Sequence, residues 1–392
     1  MNILAHTKSP ILSPDSNPLL RKFLKKTFYA QFCAGENEIE VKKTMHGLKA
    51  VGFDGVILCF AKEVVLDAEQ KANLATCVQG EAAERSIREE VTPWAEGTLE
   101  TVRLTNRGDF VALKFTGAGS QALYTLLNKS APPPALKEAI DAVCELAASR
   151  GVRLLFDAEN NAVQPGIDAW TLDYMKKYNT PTKAVVYGTY QAYLKSAPSL
   201  LASHLAVARK ENYVLGVKLV RGAYIGSDPR HLIHDTKSDT DACYDGIAEA
   251  LTRRTYTAVL PPAASEDEQP FPVVDIVLAG HNQASNRKNQ AIRAEQAERG
   301  EERVNLVYAQ LQGMADEVSC ELVQKAHELK RSEKVDIPST YKYLVWGTTG
   351  ECMKYLLRRA QENKDAVQRT RESRNAMAGE LGRRVKSYFW FA

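Results

Sequence analysis

The sequence predicts an α/β fold, a (β/α)8 barrel of the TIM type, on two observations. Short apolar runs rich in β-branched residues recur along the 392-residue chain, each followed by a longer amphipathic stretch. Polar residues also gather at the C-terminal ends of those runs, where the strands of a barrel converge on one mouth.

The runs fall at 56–60, 110–115, 152–156, 184–190, 214–220, 273–279, 304–309 and 341–345. Each has the length of a buried strand and little polar alternation, as parallel strands covered on both faces require. Helical periodicity separates them at 134–149, 167–178, 198–211, 239–253, 282–299, 316–330 and 351–363. Eight strands alternating with helices fit either a barrel or a large doubly wound sheet. Lys114, Asp157, Gln191, Arg221, His281, Gln310 and Lys342 sit at or near run ends. An open sheet gathers ligand groups at its switch point, so contributions from seven strands favour the barrel.

Residues 1–27 read as a partly disordered leader, with three prolines in the first 18 and no steady period. Residues 28–392 form one domain, interrupted by a surface loop at 260–272 with four prolines and the trio Glu266, Asp267 and Glu268.

Composition narrows the function classes. Charged residues make up 25% and aromatics 8%, ordinary globular values that exclude collagen, coiled coil and a disordered chain. A net charge of +3 gives nucleic-acid binding no support. The longest run without Asp, Glu, Lys or Arg is 115–128, too short to span a bilayer. Seven scattered cysteines without a CxxC pair suggest reduced thiols. Residues 1–30 lack an apolar signal core and hold one arginine, so a transit peptide is not expected within this sequence.

Several motifs carry chemistry. Residues 117–122 match GxGxxA after a strand, yet no second strand with an acidic end follows about 20 residues on, so a tight strand-to-helix turn is expected. His231 and His234 stand three apart without a zinc-site partner, and no metal site is expected. Tyr355, Arg358 and Arg359 share a helix face. They could clamp a carboxylate, since a guanidinium fork matches its two oxygens, or form a solvated face with Arg358 paired to Glu362. Lys114 and Asp157 each end a strand and could be a catalytic pair, a carboxylate site or a structural ion pair. In 216–224, Lys218 faces the barrel interior or mouth, and Arg221-Gly222 suits a phosphate or a flavin, or is merely a solvated loop.

Taken together, the motifs resemble the proline dehydrogenase family, in its eukaryotic mitochondrial branch. The matching pieces are FYAQFCAGE (28–36), ALKFTG (112–117), LLFDAE (154–159), TYQAYLKSAP (189–198), GVKLVRGAY (216–224), AGHNQAS (279–285), YAQLQGMADEVS (308–319) and the YKYLVWG…YLLRRAQEN block (341–363). The resemblance implies a distorted barrel with an N-terminal helical extension, non-covalent FAD, and oxidation of L-proline to Δ1-pyrroline-5-carboxylate. It puts Arg358, Arg359 and Lys114 on the substrate carboxylate, and Tyr224, Leu311, Tyr343 and Tyr355 around the pyrrolidine ring. Asp157 becomes the carboxylate beside Lys114, and Glu63 an acidic gate paired with an arginine. Lys218 would lie near the reactive edge of the flavin, held also by Gln191, Arg221, His281 and Asn282. Electrons would pass to ubiquinone at the matrix side of the mitochondrial inner membrane, with the aromatic C-terminus a candidate for peripheral contact.

Val345 and Trp346 depart from the family pattern, and the 260–272 loop looks inserted relative to compact bacterial members. Tyr343 favours proline over hydroxyproline, since hydroxyproline-oxidising relatives differ there. The competing readings are a hydroxyproline dehydrogenase, a Schiff-base lyase on Lys114 or Lys218, and a non-catalytic barrel that binds a small acid.

Overall fold

The computed structural model describes residues 13–62, 74–263, 269–329, 336–365, 378–381 and 383. Glu63, the 264–268 part of the surface loop and the aromatic C-terminus lie outside the described residues.

The chain opens with α1 (Pro18–Leu24), capped by Asn17, which accepts from the Leu19 and Leu20 amides. A π-turn at Lys25–Tyr29 and a short end at Ala30–Phe32 extend it, so the helical extension crosses residue 27. Then come α2 (Glu38–Val51), β1 (Gly55–Phe60), α3 (Gly80–Ser86), α4 (Thr92–Leu104), β2 (Phe110–Leu113), α5 (Ser120–Leu127) and α6 (Pro134–Arg150). β3 (Arg153–Phe156), α7 (Gln164–Tyr178), β4 (Val186–Gln191), α8 (Ala197–Lys210), β5 (Leu215–Val220) and α9 (Lys237–Arg253) follow. The chain continues through β6 (Val274–Ala279), α10 (Gln283–Glu298), β7 (Asn305–Leu311), α11 (Asp316–Leu329), β8 (Ser339–Trp346) and α12 (Met353–Asp365).

Each strand pairs in parallel with its sequence neighbour, and β1 closes on β8 with Ile57 opposite Tyr343, giving a barrel rather than an open sheet. Side chains alternate across the wall. Ile57, Phe110, Leu155, Tyr187, Val277, Val307 and Tyr341 fill the interior. Leu154, Val186, Leu215, Ile276 and Leu306 face the helical shell with residues of α6 to α9. One departure positions the site: Met353, Tyr355 and Leu356 of α12 pack with the interior cluster and with Leu24, Tyr29, Phe32 and Cys33. The last helix thus lies over the mouth instead of against the outer wall, which is the distortion of the barrel.

Interior packing is tight where strands four and five meet. A Cβ on Gly216 would lie 2.6 Å from the Tyr187 ring and 2.6 Å from the Val186 carbonyl oxygen. Gly216→Ala is therefore expected to destabilise the barrel by about 1–3 kcal/mol through overpacking against backbone. A thermal midpoint equal to that of the parent would contradict this packing.

Candidate active site

The C-terminal ends of the strands and α12 enclose a cavity of about 1070 Å³. Among the described residues, every catalytic and cofactor residue that the family resemblance implies lines it.

The floor is an ion network. Lys114 follows β2, Asp157 follows β3, and Lys218 points inward from β5. Asp157 Oδ1 accepts from Lys218 Nζ at 2.5 Å, and Oδ2 accepts from Lys114 Nζ at 3.3 Å and from the Tyr343 hydroxyl at 2.7 Å. The Asp157 and Lys218 side chains are 6% and 8% exposed. Burial pushes the Asp157 carboxyl up, but Lys218 and Lys114 outweigh it and hold it down at about 2. Burial pulls Lys114 down, yet Tyr224, Asp157 and Glu159 carry it above its ordinary value. Both partners of that bridge are therefore charged.

The roof is α12. Its helical spacing brings Tyr355, Arg358 and Arg359 onto the cavity, with Tyr355 and Arg359 buried, so this face is not solvated. Arg359 Nη2 donates to Glu362 at 2.6 Å and its Cζ lies 5.0 Å from the Tyr355 ring centroid. Arg359 Nε and the Tyr355 hydroxyl are buried without a hydrogen-bond partner. Leu311, Tyr224 and Tyr343 complete an apolar and aromatic wall beside these cations.

A second cationic sector lies between β5 and β6. Arg221 donates to Asp241 from Nε at 2.8 Å and to Ser285 from Nη2 at 2.7 Å, and stacks over Tyr244. Its Nη1 is buried and unpartnered, an orphan donor at the cavity edge. Gln191 donates to the Glu159 carbonyl at 3.3 Å, His281 Nε2 accepts from the Leu311 amide at 3.2 Å, and Asn282 caps α10. A cavity at the top of the range of about 300–1,000 Å³ for ligand pockets has room for a dinucleotide and a small acid together. The orphan donor of Arg221, with Lys237 also on the wall, suits a diphosphate, so the residues present fit a flavin dinucleotide.

Other sequence expectations separate here. The 117–122 motif is a strand-to-helix turn: Gly119 has φ of +96°, and a Cβ there would strike Glu90. The Glu90 carboxylate accepts from the Ser120 amide at 2.9 Å, filling the helix N-terminus that a dinucleotide would need. His231 is exposed on a 3₁₀ turn, and no metal-ligating cluster occurs among the described residues. Lys342 does not reach the cavity. The alternation of β8 turns Tyr341 and Tyr343 inward and Lys342 outward, onto Asp316 at 2.7 Å. Sequence reading missed Glu159, Asp241, Ser285 and Lys237, whereas Glu362, weighed there as a partner of Arg358, accepts from Arg359. None of the four missed residues carried a local signal.

Residues 41–372 match the family model described as proline dehydrogenase. The chain is 29% identical over 413 residues to a probable mitochondrial proline dehydrogenase of Schizosaccharomyces pombe, covering 94% of this chain and 81% of that protein. It is 33% identical over 257 residues to mitochondrial proline dehydrogenase 1 of Caenorhabditis elegans, covering 62% of this chain but only 37% of the relative. Among solved structures, proline utilization A from Bdellovibrio bacteriovorus superimposes with a TM-score of 0.65 at 17% identity, over 88% of this chain and 33% of that one. That likeness bears on the fold.

Proposed function

The chain belongs to the proline dehydrogenase family, and on that premise we propose that it oxidises L-proline to Δ1-pyrroline-5-carboxylate, using FAD and passing electrons on to ubiquinone. The observation that carries this reading is the pair of α12 guanidiniums over a buried Lys114–Asp157–Lys218 network, with an aromatic wall between.

In this reading Arg358, Arg359 and Lys114 bind the substrate carboxylate, and the unpartnered Arg359 Nε supplies one of the donors. Tyr224, Leu311, Tyr343 and Tyr355 hold the ring flat and exclude water. Gln191, Lys218, Arg221, His281 and Asn282 would hold FAD, which when bound supplies the acceptor for a hydride leaving the carbon next to nitrogen. Positive charge at Lys218 favours the electron-rich reduced cofactor. The ring nitrogen must shed a proton before hydride leaves. Asp157, held near 2, is a poor acceptor for it, so its part is to fix Lys114, Lys218 and Tyr343, and the proton goes to solvent.

The lyase reading is disfavoured. An amine nucleophile must be uncharged, whereas Lys114 is pushed above its ordinary value and both lysines are bridged to Asp157. The relatives' names support a mitochondrial location, and we place the enzyme at the matrix side of the inner membrane. No helix among the described residues is long and apolar enough to cross a membrane.

The test is an anaerobic absorbance spectrum of the FAD-reconstituted protein before and after L-proline. Bleaching of the visible flavin band is the expected result, with a much weaker response to hydroxyproline. A flavin that stays oxidised with L-proline would overturn the substrate assignment, and failure to bind FAD would overturn the cofactor.

A further inference from the structure

We propose that Glu36 is a positioning residue for the α12 arginines: its carboxylate fixes the loop that launches α12, and through that loop sets how Tyr355, Arg358 and Arg359 enter the cavity. The proposal rests on the reading above for the identity of the ligand, not for the geometry.

The loop between β8 and α12 is bound chiefly by a segment more than 300 residues earlier. Glu36 Oε1 accepts from the Thr349 amide at 2.9 Å and from the Thr349 hydroxyl at 2.8 Å. Its Oε2 accepts from Lys25 at 2.6 Å and from Arg21 at 3.1 Å, both on the helical extension. The Glu36 side chain is 7% exposed and Thr349 is fully buried. Backbone and phenol bonds continue the attachment. The Tyr29 hydroxyl donates to the Gly347 carbonyl at 2.7 Å, the Gly347 amide to Gly35 at 3.1 Å, and the Ala34 amide to Val345 at 2.7 Å.

A buried carboxylate with two neutral donors on one oxygen and two cations on the other is fully satisfied. It is costly to disturb, and it is fixed in direction. Because α12 packs with the interior cluster and the extension rather than the outer shell, its seat depends on how the extension and the preceding loop are held. Glu36 does not line the cavity, so it acts through Thr349. Bidentate binding of a carboxylate demands accurate placement, and displacement by about 1 Å can cost up to about 100-fold.

The experiment uses the FAD-loaded 392-residue chain with Glu36→Gln, Thr349→Val and the double variant. Steady-state kinetics with L-proline are read beside calorimetric binding of cyclopentanecarboxylate, which has the ring and the carboxylate but no amine to oxidise. Glu36→Gln is expected to raise KM and the cyclopentanecarboxylate Kd roughly three- to tenfold, with kcat within about twofold and FAD content unchanged. Thr349→Val should act in the same direction, and the double variant should fall short of the combined single effects, since both weaken the one Glu36–Thr349 attachment.

Unchanged KM and Kd in Glu36→Gln, or additive effects in the double variant, would overturn the proposal. A merely structural role would lower the thermal midpoint and flavin content without moving Kd. Should Glu36→Gln fail to fold, Thr349→Val carries the same test with the ion pairs left intact. A parent enzyme that binds cyclopentanecarboxylate but does not oxidise proline would refute the functional reading alone.

Discussion

Arg359→Ala is expected to raise the KM for L-proline by about 30- to 150-fold, equivalent to about 2–3 kcal/mol for a charge-assisted contact in a water-poor site. Arg359 is 5% exposed, its Nε has no hydrogen-bond partner, and its Nη2 is spent on Glu362. A ligand carboxylate reaching the roof of the cavity therefore meets a donor already oriented and already desolvated. Truncation removes that donor together with its contact to Glu362. Arg358 is half-buried, and Arg358→Ala should cost about 1.5–3 kcal/mol in the same measurement. Lysine at either place should recover only part of the loss, because a single ammonium cannot match two oxygens. A KM within about threefold of the parent in Arg359→Ala would remove the clamp from the mechanism.

The shared face of Tyr355, Arg358 and Arg359 was legible because it is local. Three residues at i, i+3 and i+4 must share a face whatever surrounds them, and strand ends must meet at one mouth once the chain is a barrel. The eight strands were legible for a similar reason: buried parallel strands are short, apolar runs, and 56–60 or 214–220 needs no partner to be recognised. The helices on either side of β1 left no such mark. In α4 the buried face carries Thr98 and Thr101 beside Trp94, Val102 and Leu104, so the apolar period is broken by threonines. Thr98 and Thr101 satisfy their hydroxyls on the carbonyls of Trp94 and Gly97. In α2 only Val41 and Met45 are buried, too few to set a period. Lys342 misled for a related reason, since its place near a run end says nothing of which side of the wall it faces, and a one-residue step decides that. Contacts such as Glu36 with Thr349, or Arg221 with Asp241 and Ser285, join distant parts of the chain and exist only once the fold has formed.

The Lys114–Asp157–Lys218 network yields the other large effect. Asp157→Ala is expected to destabilise the protein by about 3–5 kcal/mol, the cost of leaving buried charge unpaired, and to abolish proline oxidation. Asp157→Asn keeps the shape and one acceptor, so it should fold better and still lose most of kcat/KM. The pH dependence separates a structural carboxylate from a catalytic base. The folded-state value of Asp157 lies near 2, below the ordinary value of about 3.9. Its contribution to stability is therefore complete above about pH 4 and is lost as pH falls toward 2. Thermal midpoints of the parent and Asp157→Asn should differ most near neutrality and converge in that acid window. A gap that stayed constant down to pH 2 would mean that the carboxylate is not held by its lysines. Throughout the range in which the enzyme can be assayed Asp157 stays ionised, so it cannot supply a titration to the rate. If kcat/KM rises with pH, the limb must belong to deprotonation of the substrate amine, and it should keep its position in whatever activity Asp157→Asn retains. A limb that moved with that substitution would make Asp157 the proton acceptor after all.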